Sequence, residues 1–229
     1  RLFQKNQSLR GLEFFRKHFL QATFIEWNNK QSMNKLYIIP TPIGNLKDIT
    51  FRAVEILKAV KYICAEDTRT TKKLLNHYDI TNKLVAYHQH NEHKIVDKII
   101  DDLLNNEGDV AVVSDAGTPG ISDPGFLLVS KAKEKNISVI CLPGATAFVP
   151  ALIQSGFPTD VFLFHGFLPH KKGRNKLLLQ FKEETRTIVL YESPHRLLKL
   201  LTELTEIFRE KRLISISREI TKIHEETVS

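Results

Sequence analysis

The chain has 229 residues, of which 42% are hydrophobic and 26% charged, a composition typical of a folded domain and unlike that of a disordered chain. Its length suffices for one large domain or two small ones. No run approaches the roughly 20 apolar residues of a membrane span, so no membrane partner is predicted. Cys64 and Cys141 each lie in an apolar run. They are predicted to be buried free thiols, which favours a cytoplasmic protein without disulfides.

The formal net charge of +7 is a modest indication of a polyanionic partner. The charge is uneven, because residues 1–32 hold six basic and only two acidic side chains. The single methionine, Met33, directly precedes the first predicted strand. We therefore expect residues 1–32 to lie outside the fold, with an amphipathic RNA-binding arm as the alternative.

Short apolar runs alternate with amphipathic runs from residue 35 onward, which predicts strands alternating with helices. Strands are predicted at Lys35–Ile39, Tyr62–Ala65, Leu84–Tyr87, Val110–Ser114, Ser138–Leu142, Val161–His165, Thr187–Tyr191 and Leu213–Ser217. Helices are predicted after a Thr50 cap, at Thr68–His77, at Lys94–Leu104, from Asp123-Pro124 to about Lys135, at Ala145–Ser155, at Arg174–Phe181, and from Ser193-Pro194 to Phe208. This alternation predicts an α/β fold with mainly parallel sheets.

The segment Gln154–Asp160 (QSGFPTD) is the best candidate for a linker. We expect an extension at 1–32, an N-terminal α/β domain at 33–153 and a smaller C-terminal α/β domain at 154–229. The last of these has only three predicted strands, and the sequence ends without a completed element. We therefore expect the C-terminal domain to be truncated.

Polar or Gly/Pro-rich loops follow six of the predicted strands. They are Pro40–Leu46, Glu66–Arg69, His88–Glu92, Ser114–Gly125, Pro143–Ala147 and Glu192–Arg196. In open α/β sheets, ligands bind beyond the C-terminal ends of the strands. Tight turns would explain the glycines and prolines, but they explain less well why Asp, Thr, Asn and His recur there. The loops are therefore predicted to form a binding site together.

Several nucleotide and metal sites are excluded or disfavoured by missing motifs. The sequence has no GxxxxGK[ST], and no GxGxxG follows the first strand. The cysteines and histidines lack zinc spacing, and no metal site is predicted. His88 and His90 are interpreted as substrate contacts or solvated side chains.

The loops resemble one known family. Five motifs resemble those of the tetrapyrrole methylase superfamily, in its ribosomal RNA small subunit methyltransferase I branch. They are TPIGNL at Thr41–Leu46, AEDTR at Ala65–Arg69, SDAGTPGISDPG at Ser114–Gly125, PGATA at Pro143–Ala147 and YESPHR at Tyr191–Arg196. AEDTR together with TPIGNL separates this branch from the porphyrin and precorrin methylases, whose first loop typically reads GxGPGD. The resemblance runs from about Leu36 to Val228.

The resemblance implies two α/β domains with S-adenosyl-L-methionine in the cleft between them. It also implies 2′-O-methylation of a cytidine ribose in the 16S rRNA of the small ribosomal subunit, and a homodimer. Carried over motif by motif, the implied cofactor contacts are Pro42, Asp115, Gly117, Thr118, Ile121, Thr146, Ala147 and Tyr191.

A ribose hydroxyl is a weak nucleophile, so a group that accepts its proton is expected near the site. The loops offer Glu66, Asp67, His88 and Glu92 as candidates, and Asp67 and Glu92 are the predicted catalytic residues. The alternative for Asp67 is structural, because an aspartate before the helix beginning at Thr68 is also a good N-cap.

Basic side chains in neighbouring loops are predicted to contact RNA phosphates. They are Arg69, Lys72, Lys73, His88, His195 and Arg196, with His170–Arg174 (HKKGR) as a further basic loop. The alternative is an ordinary solvated surface. Two other functions remain open: a porphyrin- or corrin-type small-molecule methyltransferase, and a non-catalytic module that binds S-adenosylmethionine.

Overall fold

A five-stranded parallel sheet forms the centre of the N-terminal part of the chain. The computed structural model describes residues 34–209 and 212–229. The strands are β1 (Lys35–Ile38), β2 (Tyr62–Ala65), β3 (Leu84–Ala86), β4 (Val110–Val113) and β5 (Ser138–Cys141). They lie in the order β3-β2-β4-β1-β5, and every pair is parallel. All residues of β2 and β4 are buried, as expected of inner strands covered on both faces.

Helices cover both faces of this sheet. They are α1 (Phe51–Ala59), α2 (Thr68–His77), α3 (Glu92–Leu104) and α4 (Phe126–Glu134). Leu57 of α1 and Leu75 of α2 belong to one core cluster, and Ile99 of α3 and Leu128 of α4 to another. Consecutive β-strand residues point to opposite faces, so a sheet between two helical layers needs apolar residues on both.

The C-terminal part of the chain contains smaller elements. They are α5 (Phe148–Gln154), β6 (Phe162–Phe167), α6 (Arg174–Lys182), β7 (Thr187–Tyr191), α7 (Leu197–Phe208), β8 (Ile216–Arg218) and β9 (Glu226–Val228). Strands β6 and β7 pair in parallel, whereas β8 and β9 form an antiparallel ribbon. The core between β6–β7 and helices α6 and α7 is formed by Leu168, Leu178, Phe181 and Leu200.

The α/β fold with mainly parallel strands is confirmed, and several predicted boundaries are wrong. Helix α4 begins at Phe126 after Gly125, so Asp123 is not its N-cap. Helix α5 begins at Phe148, because residues 143–147 form the loop. The last predicted strand lies at Ile216–Arg218 and pairs with β9, which was not predicted. Cys64 is buried as expected, but Cys141 is exposed.

The predicted division of the chain near residue 154 stays a prediction. The predicted extension at residues 1–32 lies outside the described residues. Within 34–209 and 212–229, no helix is both long enough and apolar enough to cross a bilayer.

Candidate functional site

The loops after β1, β4 and β5 are joined by direct hydrogen bonds. Thr41 and Gly117 exchange two backbone hydrogen bonds, each 2.9 Å long. The Thr41 hydroxyl donates to the Ser114 carbonyl at 3.0 Å, and the Thr118 hydroxyl donates to the Ala145 carbonyl at 3.1 Å. Three of the six predicted loops therefore meet at the C-terminal edge of the sheet.

Glycines permit this close meeting. Gly117 has a φ of +85°, a conformation that a side chain would strain. At Gly144, a Cβ atom would lie 2.7 Å from Cβ of Pro40, so any larger residue would push the first and fifth loops apart. The sequence predicts these loops because glycine stands where the backbone must turn or approach another segment closely.

Tyr191, at the end of β7, connects the C-terminal part of the chain to the fifth loop. Its hydroxyl lies near the backbone N–H groups of Phe148 and Ala147. Its ring packs edge-on against Phe164, with a centroid distance of 5.3 Å, and Phe164 in turn packs on Phe148 at 4.6 Å. Burial of the phenol raises the pKa of Tyr191. Tyr191 thus packs the end of β7 against the start of α5.

A second contact joins the fourth loop to β6. Gly166 lies at a register shift in β6 with a φ of +71°, and a Cβ atom there would come 2.6 Å from the Ser122 hydroxyl. The fourth loop is thus enclosed by the first loop, the fifth loop and β6.

Carboxylates gather at the same edge of the sheet. The Asp67 N–H donates to the Asp115 carboxylate at 3.1 Å. Burial raises the pKa of Glu66. Burial, with the neighbouring charges of Glu66 and Asp115, raises the pKa of Asp123 to about 6. The carboxylates of the second and fourth loops therefore form one acidic cluster.

Asp67 has the structural role that was the alternative to catalysis. Its carboxylate accepts from the Arg69 backbone N–H at 2.8 Å, which makes it the N-cap of α2. The same carboxylate forms an ion pair with the Arg69 guanidinium, with 2.7 Å between Nη2 and Oδ2. These hydrogen bonds from Arg69 lower the pKa of Asp67 to about 2. Asp67 is consequently ionised at neutral pH.

Glu92 and His88 lie one loop further along the sheet. Glu92 is in the first turn of α3 and accepts from the Tyr87 hydroxyl at 3.3 Å. Within the described residues, no hydrogen bond or ion pair joins Glu92 to Asp67 or Asp115. The His88 Nδ1 atom is buried and has no hydrogen-bond partner in the described part of the chain. The charge of His88 lowers the pKa of nearby Glu66, against the effect of burial.

The residues that the resemblance implies as cofactor contacts are brought into one region. Four of them lie on the joined loops, and Tyr191 lies beside the fifth loop. The four are Pro42, Gly117, Thr118 and Ala147. Asp115 and Ile121 are exposed, and Thr146 is half-buried. This gives an accessible carboxylate, an accessible apolar side chain and a hydroxyl beside tight glycine turns.

The predicted basic contacts fall into two groups. Arg69, Lys72 and Lys73 are exposed on the first turns of α2, beside the acidic edge. His195 is exposed, whereas Arg196 is mostly covered and pairs with Glu192 at 2.7 Å. The first group is exposed to a polyanion, although Arg69 is also paired with Asp67. In the second group, only His195 is fully accessible.

The interpretation of Arg174 as part of a basic loop is wrong. Its side chain is only 4% exposed and forms an ion pair of 2.8 Å with Glu203 and a longer one of 3.5 Å with Glu192. Its Nη1 atom also donates to the Pro169 carbonyl at 3.2 Å. Arg174 therefore holds in place the segment that carries Tyr191 and Glu192. Because its side chain is buried, it cannot reach a phosphate. A buried arginine and a surface arginine look alike in sequence.

The C-terminal ribbon closes one side of the first loop. The Asn45 N–H donates to the Thr221 hydroxyl at 3.1 Å, and a Cβ atom on Gly44 would lie 2.5 Å from Cγ of Lys222. Gln154 of α5 donates to Glu225 at 2.7 Å. This contact could not be predicted, because β9 has only three residues and shows no periodic pattern.

Sequence reasoning also missed Asp123, which it interpreted as a helix cap. Its place in the longest Gly/Pro-rich loop was the available signal. In the described part of the chain, no three His, Cys, Asp or Glu side chains are placed to hold a metal ion.

The sequence matches a family model described as Tetrapyrrole (Corrin/Porphyrin) Methylases over residues 35–229. In fold, the chain is similar to the crystal structure of uroporphyrin-III-C-methyltransferase from Thermus thermophilus, with a TM-score of 0.59 at 19% identity over 85% of this chain and 83% of that one. This likeness shows the fold alone.

Proteins named ribosomal RNA small subunit methyltransferase I are much more similar in sequence. The one from Synechocystis sp. is 51% identical over 85% of this chain and 70% of its own length. Those from Halalkalibacterium halodurans and Escherichia coli O157:H7 are 50% and 47% identical, over 87% and 85% of this chain and 69% and 68% of theirs. The chain therefore belongs to the tetrapyrrole methylase family, within the ribosomal RNA small subunit methyltransferase I group.

Proposed function

We propose that this protein transfers a methyl group from S-adenosylmethionine to a ribose 2′-oxygen of a cytidine in the 16S rRNA of the small ribosomal subunit. The observation that carries the proposal is the sequence identity of 51% over 195 residues to a protein named ribosomal RNA small subunit methyltransferase I. The aligned length is comparable to the described part of the chain, which contains all six loops.

The side chains at the joined loops fit S-adenosylmethionine, which combines an apolar base with a charged amino-acid end. Ile121 offers an exposed apolar surface, and the Thr146 hydroxyl and exposed Asp115 offer polar contacts. Because residue 117 is a glycine, it has no side chain that would cover the backbone at this tight turn. Ligand sites commonly pair apolar walls with a few placed polar groups. We propose Pro42, Thr118, Ala147 and Tyr191 as the remaining contacts.

When bound, S-adenosylmethionine supplies a methyl group that is already activated on a sulfonium sulfur. The task left to the protein is alignment of the ribose oxygen, and such positioning contributes up to roughly 7–11 kcal/mol in well-oriented reactions. The hydrogen bonds from Thr41 to Gly117 and from Thr118 to Ala145 hold three loops in fixed relation. They support a preorganised site.

The ribose hydroxyl loses a proton as its oxygen is methylated, and we propose that a carboxylate at this edge accepts it. Asp67 and Glu92 are the first candidates. Asp67 is ionised at neutral pH, but its pKa of about 2 makes it a weak base. Asp123, with a pKa of about 6, is better matched to neutral pH and joins them as a third candidate.

The proposal is tested by methyl transfer from radiolabelled S-adenosylmethionine to 30S subunits that lack the modification. Large ribosomal subunits in the same assay serve as the control substrate. Label on a single cytidine 2′-oxygen of 16S rRNA is the expected result. Binding of S-adenosylmethionine without transfer to RNA would contradict the proposed substrate and favour a non-catalytic module or another acceptor.

The basic side chains Arg69, Lys72 and His195 favour an RNA acceptor over a porphyrin or corrin. They are exposed around the joined loops and can contact phosphates.

A further inference from the structure

A groove runs along one side of α2. Its volume is about 450 Å³. One wall is formed by residues of α2 and the other by the segment that leads into β3. The lining residues are Thr68, Arg69, Lys72, Leu75, Asn76, Ile80, Thr81, Asn82 and Leu84. We name this feature the α2 groove.

The α2 groove starts at the C-terminal edge of the sheet, beside the candidate site. Thr68 and Arg69 directly follow Asp67, whose backbone N–H is bonded to Asp115. Asn76 lies eight residues further along the helix, a rise of about 12 Å at 1.5 Å per residue. The groove is therefore longer than a single phosphate requires, and it leads from the candidate site toward the opposite edge of the sheet.

The charge of the α2 groove is positive. Its lining includes Arg69 and Lys72 and no aspartate or glutamate. Arg69 bonds Asp67 through Nε and Nη2, and within the described residues its Nη1 atom donates no hydrogen bond. Lys72 is exposed and has no ion pair with any residue in 34–209 or 212–229. Lys72 is therefore available to an external anion, whereas Arg69 can offer one only its Nη1 group while it stays paired with Asp67.

The uncharged polar lining suits the rest of a nucleic-acid backbone. Asn76 and Thr81 are exposed and carry amide and hydroxyl groups. Asn82, in contrast, is occupied, because its amide donates to the carbonyls of Leu57 and Val60 at 2.9 and 2.8 Å. Asn82 fixes the far end of the groove and does not take part in binding.

We infer that the α2 groove binds the sugar–phosphate backbone of single-stranded RNA next to the methylated nucleotide. This inference rests on the proposed function. Arg69 and Lys72 contact successive phosphates, while Asn76 and Thr81 hydrogen-bond to ribose or phosphate oxygens. Such contacts set the register of the strand and do not read its sequence. A positively charged groove that tracks the backbone is a common mode of single-strand binding.

The test measures how salt changes the affinity for a fluorescently labelled single-stranded oligouridylate. Lys72→Ala removes one phosphate contact, so the slope of log affinity against log salt becomes shallower by about 0.7. Affinity at moderate salt falls about threefold. Lys73→Ala, on the same helix but outside the lining, has a smaller effect. Lys133→Ala on α4, exposed and on a helix that packs in the other core cluster from α2, is the matched control and leaves both quantities unchanged.

Methyl transfer to 30S subunits separates this inference from the proposed function. Lys72→Ala is expected to raise KM for the subunits and leave kcat unchanged, because it acts on binding. If wild-type protein methylates RNA but Lys72→Ala and Lys133→Ala show the same KM and the same salt slope, the inference is overturned and the proposed function stands. If wild-type protein transfers no methyl group to RNA, the proposed function fails.

Photo-crosslinking gives a second, independent measurement on the wild-type chain. RNA carrying 4-thiouridine beside the target nucleotide is expected to crosslink to the peptide spanning residues 74–83. Crosslinks confined to the C-terminal elements would place the strand elsewhere and overturn the inference.

Discussion

Two ion pairs on opposite sides of the candidate site differ in burial and in consequence. Arg69, whose side chain is 87% exposed, pairs with Asp67 at the edge of the N-terminal sheet. Arg174, 4% exposed, pairs with Glu192 and Glu203 beneath the end of β7. Exposed pairs contribute roughly 0–1 kcal/mol to stability, whereas breaking a buried pair costs about 3–5 kcal/mol. The first pair is thus suited to a functional surface, and the second to holding a loop in place.

The largest expected effect is on folding, from Arg174→Met. The change leaves Glu192 and Glu203 without their buried cation, so the free energy of unfolding is expected to fall by about 3–5 kcal/mol. Urea denaturation measures the loss. The matched control is Arg186→Met, which breaks the Arg186–Glu184 pair at an arginine that is 46% exposed, and a much smaller loss is expected. Equal losses in the two variants would contradict the difference between buried and exposed pairs.

Two variants of Asp67 distinguish a catalytic role of this residue from its role as the N-cap of α2. Asp67→Ala removes the N-cap of α2 and is expected to lower the midpoint of thermal unfolding, whereas Asp67→Asn keeps a capping oxygen and loses little. If Asp67 accepts the ribose proton, both variants lose kcat by roughly 10²-fold or more. Paired measurements of kcat and thermal unfolding check this. Full activity in Asp67→Asn would leave Asp67 as a cap alone and move the proton acceptor to Asp123 or Glu92.

A smaller effect is expected from Asp123→Asn, and it depends on pH. The folded-state pKa of Asp123 is about 6, above the ordinary value of 3.8, so the folded protein binds the proton more tightly than the unfolded chain. Stability should therefore rise as pH falls through 6 toward 4, and the ionised group is destabilising above that window. Asp123→Asn is expected to gain on the order of 1 kcal/mol at about pH 8, after allowance for solvent screening, and nothing near pH 4. Chemical denaturation at both pH values checks this, and a gain that does not vary with pH would contradict the assignment.

The sequence predicted the parallel strands well because each is marked by a short apolar run. Tyr62–Ala65 and Thr187–Tyr191 were predicted to the residue. Helix α2 was equally clear, since Asp67 supplies a strong cap before Thr68. Helix α4 was placed too early, because an Asp-Pro pair resembles a helix start although Gly125, with a φ of +146°, precedes the first turn.

The candidate site was predicted as a set of loops but not as a set of contacts. The position of each loop after a strand was sufficient to place Thr41, Gly117 and Ala145 at one edge. The contacts of Tyr191 with α5 and of Arg174 with Glu192 depend on how distant segments pack. Local patterns in the sequence carry no record of such long-range contacts.

The most direct test of the proposed activity offers two acceptors to the same enzyme. Labelled S-adenosylmethionine is supplied with 30S subunits that lack the modification, together with a porphyrin-type macrocycle, and both are recovered and counted. The account predicts label on one cytidine 2′-oxygen of 16S rRNA and none on the macrocycle. Label on the macrocycle with none on the RNA would contradict it.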